Sequence, residues 1–478
     1  MRHTKIVATL GPATDSLDSL RALVHAGVNV VRLNMSHGDH DEHAARIARV
    51  RQVADETGET IALLADLQGP KLRIGELAGD EAELTPGAPF TLTTEPIVGN
   101  ATRATAPYPE LPRDAKPGDR ILLADGNLEL VCISTTPTTV ETKVVHGGTL
   151  RSHQGVNLPG VETSLSSLTD KDRRDLDFVV HQGVDYVALS FVRHQRDIQE
   201  LRYAQLEIGA RIPIIAKIEK VEALEHIDAI IAAADGIMVA RGDLGVEAPP
   251  ERVPIIQKML IQKTRLAAKP VITATQMLES MIHSPRPTRA EASDVANAIL
   301  DGTDAVMLSA ETAIGQFPVE AVEMMTRIAK VTEATLHWEQ FVPAQWRGEN
   351  NISITDAISL ASIDIAAELH ASAILAPTAS GMTARAVARW RPPMPVIAAS
   401  HDENVARRLA LVRGVIPIVI GWCATSDDIV ARTITGACAA GHIHDGECIV
   451  VTSGMPVGIP GRTNSLQIQI VGEQKRDP

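Results

Sequence analysis

Residues 213–245 read PIIAKIEKVEALEHIDAIIAAADGIMVARGDLG, and the order of apolar and charged residues in this stretch decides the fold. An apolar run ends in a charged tip at Lys217, Glu219 and Lys220. A segment with helical periodicity follows, and a second apolar run ends in Arg241-Gly242-Asp243. The unit recurs downstream, where VITATQM ends at Met277 and VMLSAET at Thr312. Strand, chemically loaded tip and helix in repetition is the pattern of a (β/α)8 TIM barrel, whose active site gathers at the carboxyl ends of the strands. Eight strands are nominated: Lys5–Leu10, Asn29–Met35, Thr60–Leu67, Asp185–Phe191, Pro213–Glu219, Gly236–Leu244, Pro270–Thr275 and Ala305–Glu311. They are rich in Val, Ile, Leu and Ala, as parallel strands buried on both faces require. Helices are expected over Asp15–Ala26, capped by Asp15, over Lys220–Ala234 and over Pro318–Ala334, with Pro249-Pro250 opening another.

The third strand has no helix behind it. From about Pro70 to Val161 the chain reads as short strands split by Pro and Gly, with ILLADGNLELVCI and TVETKVVHGG as hairpin material. This predicts an all-β lid inserted at the catalytic end of the barrel. LHWEQFVPAQWRGENN (336–351), with Pro343 and Gly348, reads as a linker. Beyond it SAILAP, PVIAAS, IPIVI, CIVVTS and LQIQIV are strand candidates, too few to close a second barrel. The expected class is therefore α/β: a TIM barrel over 1–69 and 167–340, a β-barrel lid over 70–166, and an open α/β domain over 352–478.

Composition bounds the function. The 478 residues are 45% hydrophobic and 22% charged, ordinary for a soluble globular protein of more than one domain. No apolar stretch reaches the ~18 residues of a membrane span, and KIVATL meets Gly11-Pro12 too soon for a signal peptide. A formal charge of −14 argues against nucleic-acid binding. The four cysteines (Cys132, Cys423, Cys438, Cys448) show no CxxC spacing, so a reduced cytoplasmic compartment is the economical expectation.

The candidate chemistry lies at the strand tips. Arg32, Asn34 and Ser36 stand at period two, which predicts one shared strand face suited to phosphate oxygens; His37 follows. Lys217 and Glu219 also stand at period two in an apolar strand, where a lone ammonium is strongly disfavoured. Glu219 alone would satisfy Lys217 as a structural ion pair. Asp243, set between Gly242 and Leu244-Gly245, argues instead for a divalent metal: two carboxylates from neighbouring strand ends match the way Mg²⁺ is bound. Thr275, Ser309 and Glu311 end the last two strands; each alone would read as a helix cap. Between the strand and the helix of APTASGMTAR, Thr378, Ser380, Gly381 and Thr383 offer hydroxyls and backbone N–H groups to a phosphate.

KIVATLGPAT, RLNMSHG, DLQGPKLRIG, GVNLPG, AKIEK, ARGDLG, ATQMLESM, PTRAEASDVANA and MLSAET together resemble the pyruvate kinases, and PTASGMTARAVARWRP and GIPGRTN resemble their C-terminal domain. The match runs in the family's order from about Lys5 to Val471. The resemblance implies a mobile lid, a C-terminal allosteric domain, usually a homotetramer, and the last step of glycolysis: phosphoryl transfer from phosphoenolpyruvate to ADP, giving pyruvate and ATP. Carried over by motif, Glu219 and Asp243 hold Mg²⁺, or Mn²⁺ in its place. Lys217 and Arg32 neutralise the transferring phosphoryl group, and the backbone at Arg241, Gly242 and Asp243 with Thr275 holds the substrate carboxylate. Asn34, Ser36, Asp66 and the Leu67 carbonyl match the monovalent-cation site. His37, Arg73, Lys171 and Asn34 belong to the nucleotide side. Thr275 through water is the first choice of proton donor to the enolate, with Ser309 and Glu311 as outer relay. Leu67, Gln68, Lys71 and Ile74 in DLQGPKLRIG resemble the branch that needs no K⁺, the Lys71 ammonium replacing the ion. The resemblance also implies a phosphorylated effector at 378–383. Two departures stand out: Ala310 where the family commonly has Gly, and Ala124 in the lid where an acidic residue is common. The rival enzyme reading is a Mg-enolate barrel aldolase or lyase acting on pyruvate or oxaloacetate; the rival non-enzyme is an effector-binding protein on a decayed scaffold, against which the intact Lys217, Glu219 and Asp243 speak.

Overall fold

Eight short parallel strands close into a barrel: β1 Lys5–Thr9, β2 Val30–Asn34, β3 Ala62–Asp66, β4 Tyr186–Leu189, β5 Ile214–Ile218, β6 Gly236–Ala240, β7 Val271–Ala274 and β8 Ala305–Leu308. The computed structural model describes residues 2–343, 352–455 and 462–473. Residues 344–351 of the expected linker and 458–461 of GIPGRTN lie outside the described residues. Every strand pairs with its neighbour in sequence, and β8 closes on β1 in the register Lys5↔Ala305. Alternate residues fill two separate cores. Ile6, Leu33, Leu63, Ile218 and Leu308 face the surrounding helices, whereas Val7, Leu64, Ile215, Met238 and Ile272 pack inside the barrel. That double burial is why the strands read as unbroken apolar runs.

The strand ends are shorter than their sequence suggests. The run expected as Gly236–Leu244 stops at Ala240, and Arg241–Glu247 forms a short helix with Leu244 and Glu247 buried. The strand before Glu219 ends at Ile218, and the one before Glu311 ends at Leu308, giving way to a helical turn over Ala310–Ala313. The helix expected over Lys220–Ala234 is broken into a 3-10 turn, Val221–Leu224, and a helix, Ile227–Ala233. Pro250 opens a 3-10 turn, Pro250–Arg252, rather than the helix itself, which runs Val253–Leu266. Asp15 is not a cap: Ser16 accepts the Ser19 N–H at the head of Leu17–Ala26, and Asp15 instead receives Arg46 Nε at 2.7 Å. A hydroxyl one residue nearer the helix satisfies the orphan N–H, leaving the carboxylate for a guanidinium.

Between β3 and β4 the chain makes a six-stranded sheet and a two-stranded ribbon with their own apolar core, including Phe90, Leu92, Ile121, Leu130 and Val140. Both expected hairpin segments lie in it, Arg120–Leu123 pairing antiparallel with Leu128–Thr135, and Leu128–Thr135 with Thr139–His146. The C-terminal region is an open five-stranded sheet: β9 Ala373–Leu375, β10 Val396–Ser400, β11 Val415–Val419, β12 Cys448–Ser453 and β13 Ser465–Ile470, in the order β11-β10-β9-β12-β13, with only β13 antiparallel. It docks at the amino ends of the barrel strands. Arg391 pairs with Asp304 beside β8 at 2.8 Å, Lys5 Nζ donates to the Val415 carbonyl at 2.7 Å, and Arg407 pairs with Asp185 beside β4 at 2.9 Å. No described helix is long and apolar enough to cross a membrane.

Candidate active site

At the carboxyl ends of β2, β3, β4 and β5 the sheet register brings charges together. Arg32, Asp66 and Lys217 are strand residues whose side chains face the mouth, and parallel pairing sets Asn34 level with Asp66. Lys217 Nζ lies 2.9 Å from Glu219 Oε1 and 3.2 Å from Asp66 Oδ1, and donates to Ser190 Oγ at 2.7 Å. Arg32 donates Nε to Asp66 Oδ2 at 2.7 Å and Nη1 to Thr9 Oγ1 at 3.0 Å. Burial alone would push the Lys217 ammonium down, but Asp66 and Glu219 outweigh it and raise its pKa. Burial would raise Asp66; Lys217 and Arg32 overcome that and hold it below the usual carboxylate range. Lys217 is therefore held as a cation, and Arg32 shares its partner Asp66.

Glu219 behaves differently. Burial raises its pKa, Lys217 opposes the shift, and the like charge of Asp243 adds to it. Its Oε2 accepts the Phe191 N–H at 2.7 Å, which aims the carboxylate. Asp243 sits in the first turn of the helix Arg241–Glu247, which follows the strand paired with that of Lys217, and also lines the cleft under the lid with Lys71, Asn157, Arg193 and Lys220. Two carboxylates repelling each other at a partly dry site are what a divalent cation relieves, so the residues fit the Mg²⁺ reading. Mg²⁺ keeps waters and substrate oxygens in its shell, so two protein carboxylates are enough to anchor it.

The rest of the predicted set divides. Thr275 stands in the left-handed region at φ 65° and accepts the Gly242 N–H on Oγ1 at 2.7 Å. A β-branched residue at positive φ is strained, a feature that concentrates at functional sites. The Arg241 side chain turns inward to Asp294 at 2.7 Å and the Thr275 carbonyl at 2.7 Å, so only its backbone faces the mouth. Ser36 is not on the face of β2 with Arg32 and Asn34: the strand ends at Asn34, and Ser36 lies in the following turn, its N–H donating to Asn34 Oδ1 at 3.2 Å. The Leu67 carbonyl accepts Ser190 Oγ at 2.8 Å. Glu311 is raised by burial, while both of its oxygens accept backbone N–H groups, from Ser309 at 2.7 Å and Leu278 at 3.2 Å. Ser309 Oγ is buried without a hydrogen-bond partner among the described residues. Lys171 is held by the Met35 carbonyl at 2.6 Å and Asp175 at 2.5 Å, Arg73 is exposed with its Nη1 on the His153 carbonyl, and His37 is exposed.

Ser190, Phe191 and Arg193 were not singled out from sequence. Ser190 ends an apolar strand in a hydroxyl, the same signal that selected Thr275 and Ser309. The Phe191 contribution is a backbone N–H, for which sequence carries no signal.

A second concavity of about 170 Å³ lies at the carboxyl ends of the C-terminal strands, lined by Thr378, Ser380, Thr383, Trp422, Ser453 and Arg462 among others. Gly381 has φ +77°, and a Cβ there would meet Arg385 Nη1 at 2.9 Å, so glycine is required at the turn.

The barrel and the C-terminal sheet each match a family model: pyruvate kinase, barrel domain, over residues 1–322, and pyruvate kinase, alpha/beta domain, over residues 356–469. The chain is 46% identical to the pyruvate kinase of Geobacillus stearothermophilus over 99% of its own length and 81% of the relative's. It is 44% identical to that of Clostridium acetobutylicum over 98% of this chain and all of the relative. A crystal structure of a pyruvate kinase from Cryptosporidium parvum superposes with a TM-score of 0.92 at 36% identity, covering 98% of this chain and 96% of that one.

Proposed function

The chain belongs to the pyruvate kinase family, phosphotransferases that move the phosphoryl group of phosphoenolpyruvate to ADP in the last step of glycolysis, and from that premise we propose how its own residues carry the reaction. The observation that supports the assignment best is the pair of cationic side chains, Lys217 and Arg32, both on Asp66, beside the carboxylates Glu219 and Asp243 at the barrel mouth. Phosphoryl transfer is mostly positioning and charge neutralisation, so it asks for cations and a metal rather than a protein nucleophile. Mg²⁺, or Mn²⁺, held by Glu219 and Asp243 supplies the Lewis-acid charge that stabilises the enolate oxygen.

Lys217 and Arg32 take the phosphoryl oxygens. The substrate carboxylate lies against the backbone of Arg241, Gly242 and Asp243 and takes the Gly242 N–H from Thr275, whose hydroxyl then keeps only its bond to the Ala274 carbonyl. Thr275, through water, then protonates the enolate carbon. In the outer relay Ser309 carries the mobile proton, because both Glu311 oxygens are committed to backbone N–H groups. The nucleotide lies on the His37, Arg73 and Lys171 side. Asn34, Ser36, Asp66 and the Leu67 carbonyl frame a monovalent-cation position, and Lys71, exposed on the cleft wall, supplies that charge in place of K⁺. A tethered ammonium spares the entropy of recruiting an ion. The assembled enzyme is a cytoplasmic homotetramer whose C-terminal crevice, at Thr378, Ser380, Gly381 and Thr383, takes a phosphorylated effector. The proposed division is barrel 1–69 and 167–340, lid 70–166 and allosteric domain 352–478.

A coupled assay with phosphoenolpyruvate, ADP and Mg²⁺ tests this reading. ATP should form in tetramethylammonium buffer with little gain from K⁺, and Lys71→Glu should create K⁺ dependence. Aldol cleavage without ATP formation would overturn the reading, and a hundredfold rise of the wild-type rate with K⁺ would sink the role of Lys71.

A further inference from the structure

Lys220 and Glu247 form an ion pair with no part in the phosphoryl transfer itself. Lys220 Nζ lies 2.6 Å from Glu247 Oε1, the lysine side chain 12% exposed and the glutamate side chain fully buried. Each partner follows one of the two carboxylates assigned to the metal. Lys220 comes directly after Glu219, just past the end of β5, and Glu247 closes the short helix that carries Asp243 past the end of β6. The ladder between β5 and β6 stops at Ile218↔Val239, so the ion pair bridges the two segments where the sheet no longer does. The corner is also out of charge balance. Glu222, in the turn Val221–Leu224, has both carboxylate oxygens buried without a hydrogen-bond partner among the described residues, and so has Glu247 its Oε2. Burial pushes the Glu247 carboxyl up; Lys220 opposes that, and the like charge of Glu222 adds to it. One ammonium thus answers two carboxylates, one from each segment. The lid reaches the same pair, Asn157 Nδ2 donating to Glu247 Oε1 at 3.4 Å.

We propose that the Lys220–Glu247 pair is a strut that sets the spacing of Glu219 and Asp243, which makes Lys220 and Glu247 positioning residues for the divalent cation. This rests on the reading of Glu219 and Asp243 as the metal ligands. Mg²⁺ demands near-ideal geometry at about 2.0–2.1 Å from its oxygens, so two carboxylates from separate segments serve it only when their separation is held. Groups that orient metal ligands from behind are worth about 10–100-fold in metal affinity. Without the ammonium, Glu222 and Glu247 repel each other across the gap that also separates Glu219 from Asp243, and the two ligands spread. A plain field effect has the opposite sign, because removing a positive charge beside a cation site should tighten the cation. The direction of the change therefore separates positioning from simple electrostatics.

Mn²⁺ alone is the probe, its binding to the full-length enzyme without substrate read from the electron paramagnetic resonance signal of the free ion. Lys220→Met should weaken Mn²⁺ binding about 10–100-fold. Glu222→Gln added to Lys220→Met relieves the repulsion and should recover most of that affinity, although it takes a negative charge away from the region. If Lys220→Met does not fold, Lys220→Gln, which keeps an N–H for Glu247 but not the charge, should show a smaller loss and the same recovery. Unchanged or tighter Mn²⁺ binding on losing the ammonium, or a double variant that binds no tighter than the single, would overturn the strut and leave the metal ligands standing. Asp243→Ala, measured in parallel, checks the premise. It should abolish the binding, and if Mn²⁺ stays bound the metal reading itself falls.

Discussion

Lys217 touches three oxygens at once, from Asp66, Glu219 and Ser190, and the balance of those contacts says what the residue is for. A buried ammonium with two carboxylates is locked in the charged form, so it is a poor proton donor and a good fixed charge. Removing one such electrostatic stabiliser typically costs about 10²–10³ in rate. Lys217→Met should therefore abolish ATP formation while some exchange of the pyruvate methyl protons with solvent survives, since the proposed route for that half-reaction runs through Thr275. Proton NMR of pyruvate in deuterated buffer measures the exchange; equal loss of both half-reactions would refute the division. The variant also leaves Asp66 with Arg32 alone. Its lowered pKa contributes stability that is present above the unfolded value near 3.8 and lost as pH falls further, so with one cation removed the acid limb should move to higher pH.

The elements were legible where burial leaves a periodic trace. All eight barrel strands follow from continuous apolar runs, but their carboxyl ends do not. Arg241–Glu247 continues the apolar character of β6 because Leu244 is buried in a helix rather than a strand, and composition cannot separate the two over four residues. Loop-to-loop bonds leave no trace at all, and the lid depends on them. After β4, Arg193 donates Nη1 to the Thr163 carbonyl at 2.6 Å and to its hydroxyl at 2.9 Å, and Nη2 to the Leu165 carbonyl. These contacts pin the strap by which the lid returns to the barrel. A charged donor is worth about 1.5–3 kcal/mol per bond, enough to set how often the strap opens. Arg193→Ala should raise cleavage by a glutamate-specific protease at Glu162 several-fold, with the melting of the barrel little changed. Unaltered cleavage would show that the strap is held by something else.

Across the whole molecule the two proposed sites lie at opposite ends of the barrel strands: the catalytic cluster at the carboxyl tips, the C-terminal domain docked at the amino tips. Any effector signal must pass through that docking face, and Asp304 is tied into it by four hydrogen bonds. Its Oδ1 accepts Arg391 Nη1 at 3.0 Å and the Arg413 N–H at 3.1 Å, and its Oδ2 accepts Arg391 Nη2 at 2.8 Å and the Val271 N–H at 3.1 Å. Both partners of the ion pair are almost fully buried. They stand 87 residues apart in sequence, a separation that leaves no periodic or motif signal, so this contact was invisible before the fold was known. Breaking a buried pair leaves one charge uncompensated, at about 3–5 kcal/mol, whereas replacing both partners by neutral groups costs far less. Asp304→Asn should speed hydrogen exchange at the Gly414 amide, which bonds to the His3 carbonyl across the same face, and should lower the first thermal transition. Arg391→Met added to Asp304→Asn should restore part of both. If the double variant is no better than the single, Arg391 is not the charge left stranded, and the face is held by its other ties, Lys5 to Val415 and Arg407 to Asp185.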